Sequence, residues 1–220
     1  MSADNLLELL RGLVVTLQLA GVSIGAGLVL GLGLALLTSA RSRWVSWPAI
    51  VVVEIGRGAP VIVLLQLVYY GFPNVGITLD GLPAAWIAIG FSVAAYSSEI
   101  IRAALQSVAA GQAEAAQALA LTRWDALRHV LIPQALRVAV PPLIGLSVQM
   151  FQATSLAYAL SVPELLSRAY NIGIVSFRYL EILTAAGVVY AVVALPLIQV
   201  TRRLEKRLET PRGLREMQHV

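Results

Sequence analysis

Few residues in this chain could do chemistry. Glu54 and Arg57 stand three apart, and so do Glu99 and Arg102. On a helix that spacing puts each acid and its base on one face. Tyr96 stands three residues before Glu99, and Gln149, Gln152, Thr154 and Ser155 form a second polar group. These side chains bind solutes or brace helices; they do not make a nucleophile–base pair. His129 and His219 are the two histidines and stand far apart, and there is no cysteine, so neither a histidine cluster nor a thiolate metal site is expected. A phosphate-binding P-loop needs a lysine after its glycines, and the one lysine, Lys206, follows no such loop. Enzyme activity, ATP hydrolysis included, is therefore not expected of this chain. No cofactor or metal is expected to bind it.

The elements that carry these residues are strongly apolar. Of 220 residues 58% are hydrophobic and 13% charged, against about 25% charged in ordinary soluble domains. The mean hydropathy of +0.79 is too high for one buried core, so many apolar side chains must face lipid. The fold class expected is an all-α membrane protein with five transmembrane helices, near 10–37, 47–72, 82–108, 133–160 and 180–201. The first run is too long for the apolar region of a cleaved leader and lacks a basic stretch before it, so it reads as a spanning helix. Gly21, Gly25, Gly27 and Gly31 space small residues four apart on it, which lets a neighbouring helix come close. Pro141, Pro142 and Pro196 lie inside spans four and five and are expected to kink or unwind them.

Positive charge sets the orientation. Arg41 and Arg43 follow the first span, Arg123, Arg128 and Arg137 surround the start of the fourth, and six basic residues from Arg202 to Arg215 follow the fifth. The other side has Arg11, Arg168 and Arg178. This bias puts the N-terminus outside and the C-terminus in the cytoplasm. Basic residues clustered at span ends, rather than in one stripe, argue against nucleic acid as a partner and for membrane lipid. The organisation expected is a transmembrane domain over 1–205 and a basic cytoplasmic tail over 206–220.

The cytoplasmic stretch 111–132 is the most informative. Its Ala-rich first half favours helix, and Thr122 with Asp125 forms a capping box that starts a second short helix. A bend is expected near Leu121. Two readings stand from the residues alone: a thin helical hairpin that enters a groove on a partner, with Trp124 and Leu127 as anchors, or an amphipathic segment on the membrane surface. The two ion pairs are also open to two readings, a fixed structural brace or a link that changes during transport.

Glu114-Ala115-Ala116, Ala120 and Val130-Leu131-Ile132-Pro133 resemble the EAA motif of ABC importer permeases. Arg57-Gly58-Ala59-Pro60, the run from Ala95 to Arg102, Thr154-Ser155-Leu156, and Phe177-Arg178 with Glu181 resemble, in order, further segments of the polar amino-acid (His/Glu/Gln/Arg/opine) branch. The family has Gly where this chain has Ala120, and commonly Asp where it has Ala153. The resemblance implies a type I importer permease fold in a bacterial plasma (inner) membrane. It implies an ABC ATPase dimer as partner, holding ATP and Mg, contacted through Glu114, Ala115, Ala116, Ala120, Leu121 and Trp124. It also implies a second permease subunit and a periplasmic or tethered solute-binding protein. Glu54, Arg57, Tyr96, Glu99, Arg102, Gln152, Thr154 and Ser155 become candidates for the substrate pathway.

Overall fold

The structure, a computed structural model, describes residues 3–108, Gln112 and 122–208. Every regular element among them is helical. Long apolar runs with no water to satisfy their backbone have little alternative, because a helix pairs its own N–H and C=O groups. Helix α1 spans Ala3–Thr38, α2 Arg43–Gly58, α3 Val61–Gln66 and α4 Gly81–Ser107. After these come α5, Arg123–Ala126, then α6, Ile132–Ala153, α7, Leu165–Ser176, and α8, Tyr179–Leu208. Four stretches are long and apolar enough to cross a membrane: Ala3–Thr38, Gly81–Ser107, Arg128–Leu160 and Tyr179–Lys206. The pair Arg43–Gly58 and Val61–Val75 makes a fifth if it counts as one span.

That pair corrects the expectation of one continuous second span over 47–72. It bends by 107° at Ala59 and Pro60. Proline has no N–H to donate and crowds the residue before it out of helical geometry. Ala59 is extended accordingly (φ −82°, ψ 130°), and Pro60 starts a new helix by accepting from the N–H groups of Val63 and Leu64 at 2.9 and 3.1 Å. Of the kink or unwinding expected at Pro141, Pro142 and Pro196, the unwinding does not occur: α6 runs through the first two, and α8 through the third.

Helix α4 is the centre. In its most apolar stretch 61% of residues are buried, against 17–33% in the other three long helices. Ala84, Ala85, Ala88, Ala94 and Ala95 keep it thin enough for neighbours on several sides. Gly27 and Gly31 of α1 close on it: a Cβ at Gly27 would lie 2.7 Å from the Gly90 carbonyl oxygen, and one at Gly31 would lie 1.9 Å from Ser97 Oγ. The Gly27–Gly31 spacing therefore is a packing face, as close-approach motifs are in membranes. Gly21 and Gly25 meet nothing within 4 Å and take no part in it. Gly56 does the same service for α2, where a Cβ would lie 2.6 Å from that of Ala95. The outward faces stay apolar and bare, with Val29, Leu30, Leu36 and Val192 all more than half exposed, as suits lipid contact.

Candidate translocation site and coupling segment

Gly56 fixes the register of α2 on α4, and the register joins the two predicted ion pairs into one chain. Arg57 Nη1 lies 3.4 Å from Glu54 Oε1 on its own helix and 3.5 Å from Glu99 Oε2 on α4. Arg102 grips the same carboxylate with two bonds, Nε to Oε1 at 2.9 Å and Nη2 to Oε2 at 2.7 Å. Two bonds from one planar guanidinium make the stronger geometry. Arg102 also donates to Gln106 Oε1 at 3.2 Å. The order Glu54, Arg57, Glu99, Arg102 thus alternates in sign across two helices. Tyr96 adds a second tie, its hydroxyl donating to the Arg57 carbonyl at 2.9 Å, at the last turn of α2.

The helix break opens a cavity beside this chain of charges. It has a volume of about 570 Å³ and is lined by Arg57, Gly58, Ala59, Pro60, Val61 and Tyr96 on one side and by Gln149, Met150, Gln152 and Ala153 of α6 on the other. Its polar side chains are one guanidinium, one phenol and two amides. Such a set suits a small solute that carries a carboxylate and further hydrogen-bonding groups. A smaller cavity of about 250 Å³ lies along Glu54, Glu99 and Arg102.

The sequence-predicted pathway residues are therefore not all together. Arg57, Tyr96 and Gln152 reach the larger cavity, and Glu54, Glu99 and Arg102 line the smaller one. Thr154 and Ser155 line neither. Thr154 is buried and donates to the Phe151 carbonyl at 2.6 Å, and Ser155 donates to that of Gln152 at 2.8 Å. Both hydroxyls are taken up by the preceding turn.

The sequence reading missed Glu164, which lies in the connection between the last two long helices and is fully buried. It caps α7, accepting from the N–H groups of Leu166 at 2.9 Å and Ser167 at 2.6 Å, and from the Tyr190 hydroxyl at 2.7 Å. Thr16 of α1 accepts from the next N–H, that of Leu165, at 3.1 Å. Burial pushes the Glu164 carboxyl above its ordinary value, and the donors of Leu166, Tyr190 and Ser167 pull it part of the way back. Arg168 and Glu8 form a further ion pair between α7 and α1. The signal available was local: an acid directly after Pro163 and ahead of an apolar run marks a helix start.

At the start of α5, one half of the expected capping box forms. The Asp125 N–H donates to Thr122 Oγ1 at 3.1 Å, and α5 begins there. Trp124 falls in this short helix. Glu114, Ala115, Ala116, Ala120 and Leu121 lie outside the described residues. Among the described residues no group of three or more His, Cys, Asp or Glu could hold a metal ion.

Comparison with known proteins accounts for this arrangement. Residues 27–210 match the family described as binding-protein-dependent transport system inner membrane component. The chain is 38% identical over 181 residues to the probable amino-acid ABC transporter permease protein YckA of Bacillus subtilis (strain 168), covering 82% of this chain and 80% of that protein. It is 35% identical over 204 residues to the glutamine transport system permease protein GlnP of Escherichia coli (strain K12), covering 91% and 93%. Among solved structures, a chain of an amino acid ABC transporter with histidines superposes with a TM-score of 0.86 at 30% identity, covering 94% of this chain and all of that one. A chain of the MetNI methionine ABC transporter shares the fold, with a TM-score of 0.73 at 23% identity. Permease subunits of this kind are not themselves enzymes, and a separate ATPase hydrolyses the ATP. The helices that face lipid, the solute-sized cavity at the helix break and the family match over 27–210 agree: the chain belongs to the binding-protein-dependent transport system inner membrane components, as a multi-pass permease subunit of an ABC importer.

Proposed function

We propose that this permease carries a polar amino acid or a related zwitterionic solute, handed over by a periplasmic or tethered solute-binding protein. The cavity at Arg57 carries the proposal, because a guanidinium and two amides around a solute-sized space match a carboxylate with polar substituents. The relatives support it: permeases of arginine, L-cystine, octopine and glutamine transport systems are among them. Arg57, Tyr96 and Gln152 meet the solute, with Gln149 added to them by its place in the cavity wall. Glu54, Glu99 and Arg102 adjust the joint between α2 and α4, and Thr154 and Ser155 shape α6 rather than touch solute.

The chain crosses the membrane five times, with α2 and α3 as one broken span, the N-terminus outside and the C-terminus in the cytoplasm. The charge bias supports this orientation. Residues 1–205 make the membrane domain and 206–220 a basic tail. Glu114, Ala115, Ala116, Ala120, Leu121 and Trp124 dock on an ATPase dimer that holds ATP and Mg. Closure of that dimer rocks the spans as rigid bodies. A second permease subunit, identical or a sister chain, completes the path.

The test is uptake by the full complex in liposomes, offered a panel of labelled amino acids and sugars. Polar amino acids are expected to enter, and Arg57→Ala is expected to reduce their uptake about tenfold, the worth of one strong contact. Sugar uptake, or full amino-acid uptake by Arg57→Ala, would overturn the cavity assignment. Glu114→Lys and Ala116→Asp are expected to uncouple ATP hydrolysis from uptake. Unchanged coupling in both would remove the docking assignment.

A further inference from the structure

A second groove has no part in the solute path. It runs between the C-terminal half of α1, the end of α4 and the start of α6, and has a volume of about 440 Å³. Every residue lining it is Leu, Ile or Ala. Leu28, Leu32 and Leu36 form one wall at four-residue spacing, Ile132 and Leu136 the other, and Ala104 sits between. From Leu28 to Leu36 is about 12 Å along the helix, and from Ile132 to Leu143 about 17 Å, at 1.5 Å per residue. Half of a hydrocarbon core is about 15 Å, so the groove is one leaflet deep. Leu32, Leu36 and Leu136 are half exposed or more. With no polar lining it holds neither water nor a zwitterionic solute.

An arginine stands within five residues of the last lining residue of each wall in sequence. Arg128 lies four residues before Ile132 in the same continuous helical span, one turn below it and on nearly the same face. Arg41 lies three residues beyond Thr38, past the turn that ends the helix carrying Leu28, Leu32 and Leu36. Both are exposed, and neither forms an ion pair among the described residues. Asp125, the acid nearest Arg128 in sequence, is engaged by the Thr122 hydroxyl at 2.5 Å.

We infer that this groove binds one anionic phospholipid, an acyl chain lying against α1, α4 and α6 and the phosphate headgroup between Arg41 and Arg128. The depth fits one acyl chain, the lining fits hydrocarbon, and two unpaired guanidinium groups at the mouth fit a phosphate. In the orientation proposed above, the lipid belongs to the cytoplasmic leaflet, next to the segment that docks on the ATPase. A lipid held there would link membrane composition to the start of α6.

Native mass spectrometry of the full transporter complex, purified from liposomes of phosphatidylglycerol and phosphatidylethanolamine, tests this. The expected result is one phosphatidylglycerol kept per permease chain through delipidation, with phosphatidylethanolamine lost. Arg41→Ala with Arg128→Ala is expected to weaken retention about twenty-fivefold, at roughly fivefold per arginine. Replacing both by Lys is expected to keep it, and Arg202→Ala with Arg203→Ala to leave it unchanged. Leu136→Trp, which fills the groove and keeps the arginines, is expected to lose it. Equal retention of both lipids, undiminished retention by the double Ala variant, or a helix of another subunit seated in the groove would overturn the site. Lipid retention is read without transport, so a complex that imports normally but keeps no lipid refutes this site alone and leaves the permease reading standing.

Discussion

Glu99 and Glu164 are both acids among apolar helices, and the fold holds them in opposite ways. Glu99 keeps a quarter of its side chain exposed, borders a cavity and has two arginines, Arg57 and Arg102, within 3.5 Å. Glu164 is fully buried, forms no ion pair among the described residues, and is held by two backbone N–H groups and a phenol. The chain of charges has a spare partner at each inner member. If α2 moves on α4, Arg57 keeps Glu54 and Glu99 keeps Arg102, so the link between them breaks without leaving a lone charge. Glu164 has no such reserve. Moving α7 with its cap parts Glu164 from the Tyr190 hydroxyl and the Leu165 N–H from Thr16, leaving buried polar groups unpaired, which costs more than parting a half-exposed pair. The joint at Arg57 is suited to change during transport, and the one at Glu164 is an anchor between α7, α8 and α1.

Three pairs of substitutions break or sharpen that contrast. The largest effect is expected from Glu164→Ala, which orphans three donors at once. A loss of about 3 kcal/mol is expected, seen as a lower unfolding midpoint of the purified complex. Glu164→Gln keeps an acceptor and the shape, and is expected to cost about 1 kcal/mol or less. Equal losses in the two would mean that charge, rather than acceptance, matters there.

Helix α1 touches both regions, through Thr16 near Glu164 and through Gly27 and Gly31 on α4. Gly31→Val is expected to cost about 1–3 kcal/mol by overpacking, because its new Cβ would lie 1.9 Å from Ser97 Oγ. Gly25→Val meets open space and is expected to change stability by less than about 0.5 kcal/mol. The same unfolding measurement checks both, and similar losses would deny that only the second glycine pair is a packing face.

The smallest effect on stability is expected at the pair Arg57 and Glu99. A double-mutant cycle with Arg57→Ala and Glu99→Ala should give a coupling of about 0.5 kcal/mol, while uptake falls in each single variant. A coupling of several kcal/mol would make this joint as rigid as the Glu164 anchor and would remove its fitness for motion.

Much of this was legible in the sequence, for physical reasons that also mark where legibility stops. Lipid demands long apolar helices, so four spans appear within a few residues of where hydropathy puts them. The break at Ala59 and Pro60 was written in the residues too, but hydropathy averages across it. Pro141, Pro142 and Pro196 unwind nothing, because a helix in lipid has no better structure to fall into and runs on through a proline. Within the site, the spacing of Glu54 with Arg57 and Glu99 with Arg102 fixed each pair, since one helix decides it. The contact of Arg57 with Glu99 depends on the register of two helices, set by Gly56 against Ala95, and no spacing along one helix reveals that. Thr154 and Ser155 stand out by their polarity, but polarity does not reveal that their hydroxyls donate to the preceding carbonyls. Glu164 was overlooked because its partners carry no charge: Arg168, four residues on, pairs with Glu8 instead, and Glu164 is held by backbone groups and a tyrosine 26 residues away.

The dependence of transport on a partner's ATP hydrolysis is tested most directly by uptake into liposomes that contain the permease, with and without its ATPase subunits. Solute is expected to accumulate only when the ATPase, Mg·ATP and the solute-binding protein are all present, and to stay at the level of empty liposomes when the ATPase is left out. Solute entry through the permease alone, down its own gradient, would contradict this and make the chain an autonomous channel or carrier.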